Sequence, residues 1–84
     1  MSQLNIRYFA SLREALGPQA QWPHTEGLTV GGLRQALAAQ DSAHAEALAA
    51  GRAVRCALNH VLVDESAVVP AGAEVAFFPP VTGG

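Results

Sequence analysis

Residues 74–84 read EVAFFPPVTGG. The first five alternate, Val75 and Phe77 on one side, Ala76 and Phe78 on the other, which is the period of a half-buried strand. Pro79 and Pro80 then stop it. Each lacks an N–H and holds φ near about −65°, so the chain leaves the sheet extended instead of folding back. Gly83 and Gly84 have no Cβ and tolerate close approach of other groups on every side. Pro79, Pro80, Val81, Thr82, Gly83 and Gly84 therefore read as a thin arm with a carboxylate at its tip. At ~3.3–3.6 Å per residue it reaches about 20 Å. The sequence divides into a domain over 1–78 and an extended C-terminal tail over 79–84.

The domain carries further strands and helices. LNIRYF at 4–9 alternates as a strand, with Leu4, Ile6 and Tyr8 on one face and Asn5, Arg7 and Phe9 on the other. SLREALGP follows as a short helix, with Ser11 and Glu14 at capping-box spacing, Gly17 at a left-handed stop and Pro18 beyond it. AQWPHTE at 20–26 reads as an edge strand, because Pro23 cannot donate to a ladder on both sides. The main helix starts after Thr29 as N-cap and runs to about Gln40, its buried stripe formed by Val30, Leu33, Ala36 and Leu37. A second helix spans Ala43 to Ala50, with Asp41 or Ser42 as cap and Gly51 as stop. VRCALNHVLV is a hairpin turning at Asn59-His60, in which Val54, Cys56 and Leu58 share a face with Val61 and Val63. The fold class is α+β, a mixed sheet packed on one main helix.

Composition narrows the function classes. Half of the 84 residues are hydrophobic, enough for one core without metal or disulfide staples. A net charge of −2 with five basic residues argues against nucleic acid and against an anionic membrane surface. No apolar run approaches the roughly 20 residues of a membrane span, and MSQLNIRYF has no secretory signal pattern. A single cysteine excludes an internal disulfide. The expectation is a cytoplasmic domain.

Three large apolar residues fall out of phase with the core pattern. Phe78 points away from Val75 and Phe77, Phe9 lies opposite Leu4, Ile6 and Tyr8, and Leu62 is out of phase with Val61 and Val63. One exposed apolar side chain is ordinary; three on one sheet face read as a partner-binding patch. Conventional catalytic groups are missing. Cys56 sits on the apolar side of its strand and reads as a buried, inert thiol. His24, His44 and His60 lack metal-ligand spacing and read as surface residues. The Asp64-Glu65 side chains diverge, and Gly31-Gly32 has no P-loop around it. The chemistry is left to the tip. A carboxylate is a poor electrophile, but as an acyl adenylate it can pass its acyl group to sulfur or nitrogen.

NIRYFA, SLREALG, TVGGLRQALAAQ, ALNHVLV and above all EVAFFPPVTGG resemble the small subunits of molybdopterin synthase, ubiquitin-like sulfur carriers. The resemblance covers most of the chain and implies a β-grasp fold. It implies that the Gly84 carboxylate is adenylated by an ATP-dependent activating enzyme and converted to a thiocarboxylate. Its sulfur would then reach a pterin precursor inside the large synthase subunit, in a heterotetramer. On this reading the chain is not catalytic alone and binds no cofactor or metal. Its partners are the large subunit and the adenylating, sulfurating enzyme, and Phe9, Leu62 and Phe78 match positions that contact them. A thiamin-type sulfur carrier and a protein modifier joined to lysines through Gly84 are the alternatives. Gly31-Gly32 departs from the family pattern and is expected to weaken the main helix by up to about 1 kcal/mol per glycine.

Overall fold

The computed structural model describes residues 3–49 and 51–80. The elements are β1 (Gln3–Tyr8), α1 (Ala10–Leu16), β2 (Gln19–Pro23), α2 (Val30–Ala38), α3 (Ser42–Leu48), β3 (Arg55–Leu58), β4 (Val61–Val63) and β5 (Glu74–Phe78). They build one sheet in the order β2-β1-β5-β3-β4. The first and last strands are its central neighbours and run parallel, Ile6 opposite Val75 and Tyr8 opposite Phe77. Every other pairing is antiparallel.

Alternation decides which face is covered. Leu4, Ile6 and Tyr8 of β1 are buried, as are Val75 and Phe77 of β5, and they pack with Val30, Leu33 and Leu37 of α2 in one core. Tyr8 stacks on Phe77 with ring centroids 6.3 Å apart and meets the His44 ring edge-on at 6.5 Å. Its hydroxyl finds no hydrogen-bond partner among the described residues, and burial pushes its pKa to about 12. Ala36 is only half-buried, at the margin of the stripe.

The local signals mostly hold, with informative exceptions. Thr29 caps α2, its Oγ1 accepting from the Gly32 N–H at 3.1 Å. α2 stops at Ala38, short of Gln40. Asp41, not Ser42, caps α3 through the His44 N–H at 2.8 Å, and these bonds hold its carboxyl below the usual range. α3 ends at Leu48, because Ala49 turns extended before Gly51 is reached. The edge strand β2 ends at Pro23, with His24 to Glu26 outside it. Asn59 and His60 both take positive φ, 47° and 72°, so the hairpin turns in two left-handed residues as a type I′ loop requires.

The capping box at Ser11 and Glu14 does not form. Phe9 still donates its N–H to Phe77 of β5 while its own carbonyl accepts from Leu12 and Arg13. Phe9 is therefore the N-cap, and Ser11 is already inside the first turn. Gly17, at φ 92°, does close α1, donating to the Arg13 carbonyl at 2.8 Å.

The two glycines of α2 sit against the loop that follows β4. The Val30 and Gly31 N–H groups donate to the carbonyls of Ala67 and Glu65, both at 2.9 Å. A Cβ on Gly31 would lie 3.3 Å from the Glu65 carbonyl oxygen, so Gly31 allows the loop its close approach. Tertiary hydrogen bonds thus occupy donors that the first turn of a helix otherwise leaves unpaired. They counter the propensity cost that the sequence predicts for this pair.

Beyond the glycines, α2 carries a buried cation. Arg34 is 6% exposed. Its Nε donates to the Leu48 carbonyl at 2.9 Å and its Nη2 to the carbonyls of Ala49 and Arg52 at 2.6 and 2.7 Å. Its Nη1 pairs with Glu65. One planar guanidinium therefore joins α2, the carbonyl end of α3 and the loop after β4, using the fork geometry that an ammonium lacks. Arg34→Ala is expected to cost about 3 kcal/mol by urea unfolding. That is the low end for breaking a buried pair, because Glu65 is half in solvent. Arg34→Lys is expected to recover only part of it, and a loss below about 1 kcal/mol for Arg34→Ala would contradict the staple.

Candidate functional site

The uncovered face of the sheet is built by the residues that alternate away from the core. Its central row, read from the strand register, runs Gln19, Arg7, Ala76, Ala57, Leu62. One step towards the exit of β5, Phe78 lies beside Arg55, and Phe9 lies next to β5 through its N–H bond to Phe77. Phe9 and Leu62 are 41% and 59% exposed, while Phe78 is half-buried. The Arg7 guanidinium carbon stands 5.8 Å from the centre of the Phe9 ring.

The predicted trio therefore shares one face but is not one tight cluster. Phe9 and Phe78 stand together at the exit of β5. Leu62 lies two strands away on the edge strand β4, with the small side chains of Ala57 and Ala76 lying between. A groove of about 550 Å³ runs along the β3–β4 edge, lined by Arg55 and Leu62 but also by Cys56, Val63, Asp64 and Glu65, and so lies apart from Ala57, Ala76, Phe9 and Phe78. The β1–β2 side of the face is polar, with Asn5, Arg7, Gln19 and Gln21. Between Leu62 and Phe78 the small side chains of Ala57 and Ala76 leave a shallow apolar strip that a partner's apolar residues can fill. Arg7 and Arg55 frame it, and sequence reasoning did not single them out. Arg7 was detectable, since residues two apart on a strand share a face.

Val61 corrects a sequence reading. It does share a face with Leu58 and Val63, but it is 63% exposed. It opens the edge strand β4 directly after the exposed hairpin residues Asn59 and His60. Val68, 61% exposed beyond β4, gave no sequence signal because it lies in no alternating strand.

Pro79 and Pro80 follow Phe78 directly and are half-buried. With no N–H on either, the ladder of β5 ends at Phe78, and the sheet hands the chain onward from its centre instead of its edge. Val81, Thr82, Gly83 and Gly84 lie outside the described residues.

The side chains with chemical potential are engaged elsewhere. The Cys56 thiol is buried, and desolvation together with the Glu65 charge pushes its pKa to about 12. Two histidines depart from the surface expectation. His24 Nε2 lies 2.9 Å from the Val69 carbonyl, and His44 Nδ1 lies 2.8 Å from the Asp41 carboxylate; both residues are half-buried. His60 is exposed, 3.5 Å from Glu74. Asp64 and Glu65 do diverge, one to Ser66 and the other to Arg34. Among the described residues, no cluster of histidine, cysteine and carboxylate groups could hold a metal, and no helix is long and apolar enough to cross a membrane.

A mixed sheet folded over one main helix, with a parallel central pair and a last strand leading out through two prolines, defines a ubiquitin-like β-grasp domain of the carrier type. The model of the ThiS family matches residues 6–84. The molybdopterin synthase sulfur carrier subunit of Escherichia coli is 42% identical over 96% of this chain and 99% of that protein. Its Haemophilus influenzae counterpart is 38% identical over the same shares. Among solved structures, the small archaeal modifier protein 1 of Haloferax volcanii superposes with a TM-score of 0.76 at 25% identity, over 96% of this chain and 100% of that one. The chain belongs to the ThiS family and, within it, to the molybdopterin synthase sulfur carrier subunits.

The face assignment has a direct thermodynamic test. Leu62→Ala is expected to change stability by no more than about 0.5 kcal/mol, as an exposed site does. Phe77→Ala, its neighbour Phe78's inward counterpart, is expected to lose about 3–5 kcal/mol. Urea midpoints that ranked the two the other way would reverse the assigned faces.

Proposed function

We propose that this chain delivers sulfur for molybdopterin synthesis as a thiocarboxylate at Gly84, and that the outer sheet face docks the proteins that load and unload it. The observation that carries the reading is the exit of the chain. β5 is central, its register fixes Phe78 on the outer face, and two prolines lead from there towards the glycines. A partner seated on that face would meet the tail at its root, so docking and insertion form one event.

Loading begins when a Gly84 carboxylate oxygen attacks the α-phosphorus of ATP on the activating enzyme and pyrophosphate leaves. A sulfur nucleophile then adds to the acyl carbon, the bond to AMP breaks, and the thiocarboxylate remains. In the large subunit that sulfur attacks a carbon of the pterin precursor and displaces its leaving group. Water then hydrolyses the resulting thioester at the Gly84 acyl carbon, so the sulfur stays on the pterin and the carrier returns with its carboxylate for another round. The chain supplies position and a leaving sulfur; the pocket that catalyses transfer belongs to the large subunit, in the heterotetramer. Holding the acyl carbon in line matters, because a misplacement of about 1 Å can lower the rate on the order of a hundredfold. Gly83 and Gly84, without Cβ atoms, fit a narrow channel where that alignment is enforced.

Amide transfer to a lysine of another protein is the second reading, in keeping with the modifier fold relative. It shares the adenylate and differs in the nucleophile. A paired experiment separates docking from chemistry. A protein extended by one alanine after Gly84 is expected to bind the large subunit normally and transfer no sulfur. Phe78→Ala is expected to bind at least about tenfold more weakly, the usual loss for an anchor near an interface centre. Normal transfer by the extended protein would refute the terminal-carboxylate mechanism.

A further inference from the structure

The five basic side chains are Arg7, Arg13, Arg34, Arg52 and Arg55, so all the Lys and Arg of the sequence are arginines. The single cysteine, Cys56, is 4% exposed. We infer that this domain is built as a donor only: its activated C-terminal acyl group cannot be captured by a side chain of the same chain or of a second copy. The inference rests on the reading that Gly84 is activated, and it concerns which nucleophiles that activated carbon meets.

An acyl adenylate reacts with whatever strong nucleophile reaches it. Capture by an amine forms a C–N bond, breaks the bond to AMP and releases a proton, leaving an amide that no sulfur donor reverses. Capture by a thiolate gives a thioester. Six residues span about 20 Å when extended, comparable with the shortest dimension of the domain, 21 Å. Side chains of the same chain and of a second copy in solution thus lie within reach of the acyl group. Self-acylation is therefore a real competing reaction for such a protein.

The residue types decide the outcome. At neutral pH about one lysine in a thousand is unprotonated and nucleophilic, against about one arginine in a hundred thousand or fewer. The guanidinium lone pairs are delocalised besides. Arg34 is also enclosed by its three carbonyls and Glu65. Arg7 and Arg55 flank the root of the tail, where a lysine would be most exposed to the acyl group. They supply positive charge there without an amine.

The thiol route is closed by packing. Cys56 lies in the core cluster on the inner face of β3, where desolvation keeps it protonated at pH 7. The exposed imidazole of His60 can take an acyl group only as an acyl-imidazole, which water returns to the carboxylate. Polymeric chains of this protein linked through its own side chains are thus chemically excluded. As a modifier it could be extended only through its α-amine, whose pKa of about 8 leaves it partly unprotonated.

The test uses the full chain carrying a thioester at Gly84, which needs no activating enzyme. Wild type, Arg13→Lys and Arg55→Lys are incubated at equal concentration under mildly alkaline conditions, and side-chain acyl links of every kind, amide, ester or thioester, are located by peptide mapping. Links at the α-amine are counted separately. Both lysine variants are expected to form side-chain-linked dimers at least tenfold more than wild type. Side-chain-linked wild-type dimers at the variants' level would overturn the inference, and so would lysine variants as unreactive as wild type. In parallel, pyrophosphate release by the activating enzyme is measured with the wild-type chain. Failure there with the expected thioester result would remove the proposed function and leave the nucleophile argument standing.

Discussion

The parallel ladder between β1 and β5 is the constraint on which the rest of the molecule depends. It joins the two ends of the sequence, with Ile6 opposite Val75 and Tyr8 opposite Phe77. Contacts this distant carry a loop-closure cost that local structure cannot repay alone, so burial must do it. The Tyr8–Phe77 stack and the aliphatic residues around it supply that burial at the sheet's centre. The pairing also fixes direction. Because side chains alternate, a slip of one residue would turn Phe77 outward and Phe78 inward, and the tail would leave beside the wrong face. Core and exit are set by one register.

A second group of interactions holds the helical layer to this ladder. Arg34 gathers the carbonyls of Leu48, Ala49 and Arg52 together with Glu65, while Gly31 and Val30 take the carbonyls of Glu65 and Ala67. Glu65 thus receives two groups of α2, a backbone N–H and a guanidinium. The loop after β4 is tied down polar group by polar group, which is how irregular backbone is kept without a large apolar face of its own. The helical layer and the loop after β4 are thereby tied together, and β5 ends at Phe78.

Much of this was legible in the residues. Period-two alternation in LNIRYF and EVAFF assigned Leu4, Ile6, Tyr8, Val75 and Phe77 to the core, and it placed Phe9 and Phe78 opposite them. Asn59-His60 marked the hairpin despite lacking glycine, because asparagine tolerates positive φ and histidine follows it there. What stayed hidden was tertiary. Nothing local distinguishes Arg34 from a surface arginine, since its partners lie 14 to 31 positions along the chain. The capping box at Ser11 failed because a ladder bond from Phe9 competes for the same backbone. Val61 was placed correctly by face and wrongly by burial, because alternation reports direction and not how far a position is covered. For the site, the apolar residues were visible by phase, but their spacing over the sheet needed the strand order, and the flanking arginines needed both.

The central claim is that Gly84 carries sulfur. Intact mass measurement of the protein isolated from its own cells tests it most directly, with fragmentation to locate any change. The account predicts a population heavier by the difference between a sulfur and an oxygen atom, confined to Gly84 and lost after incubation with the large subunit and pterin precursor. An unmodified mass throughout, or Gly84 joined by an amide to a lysine of another protein, would contradict it.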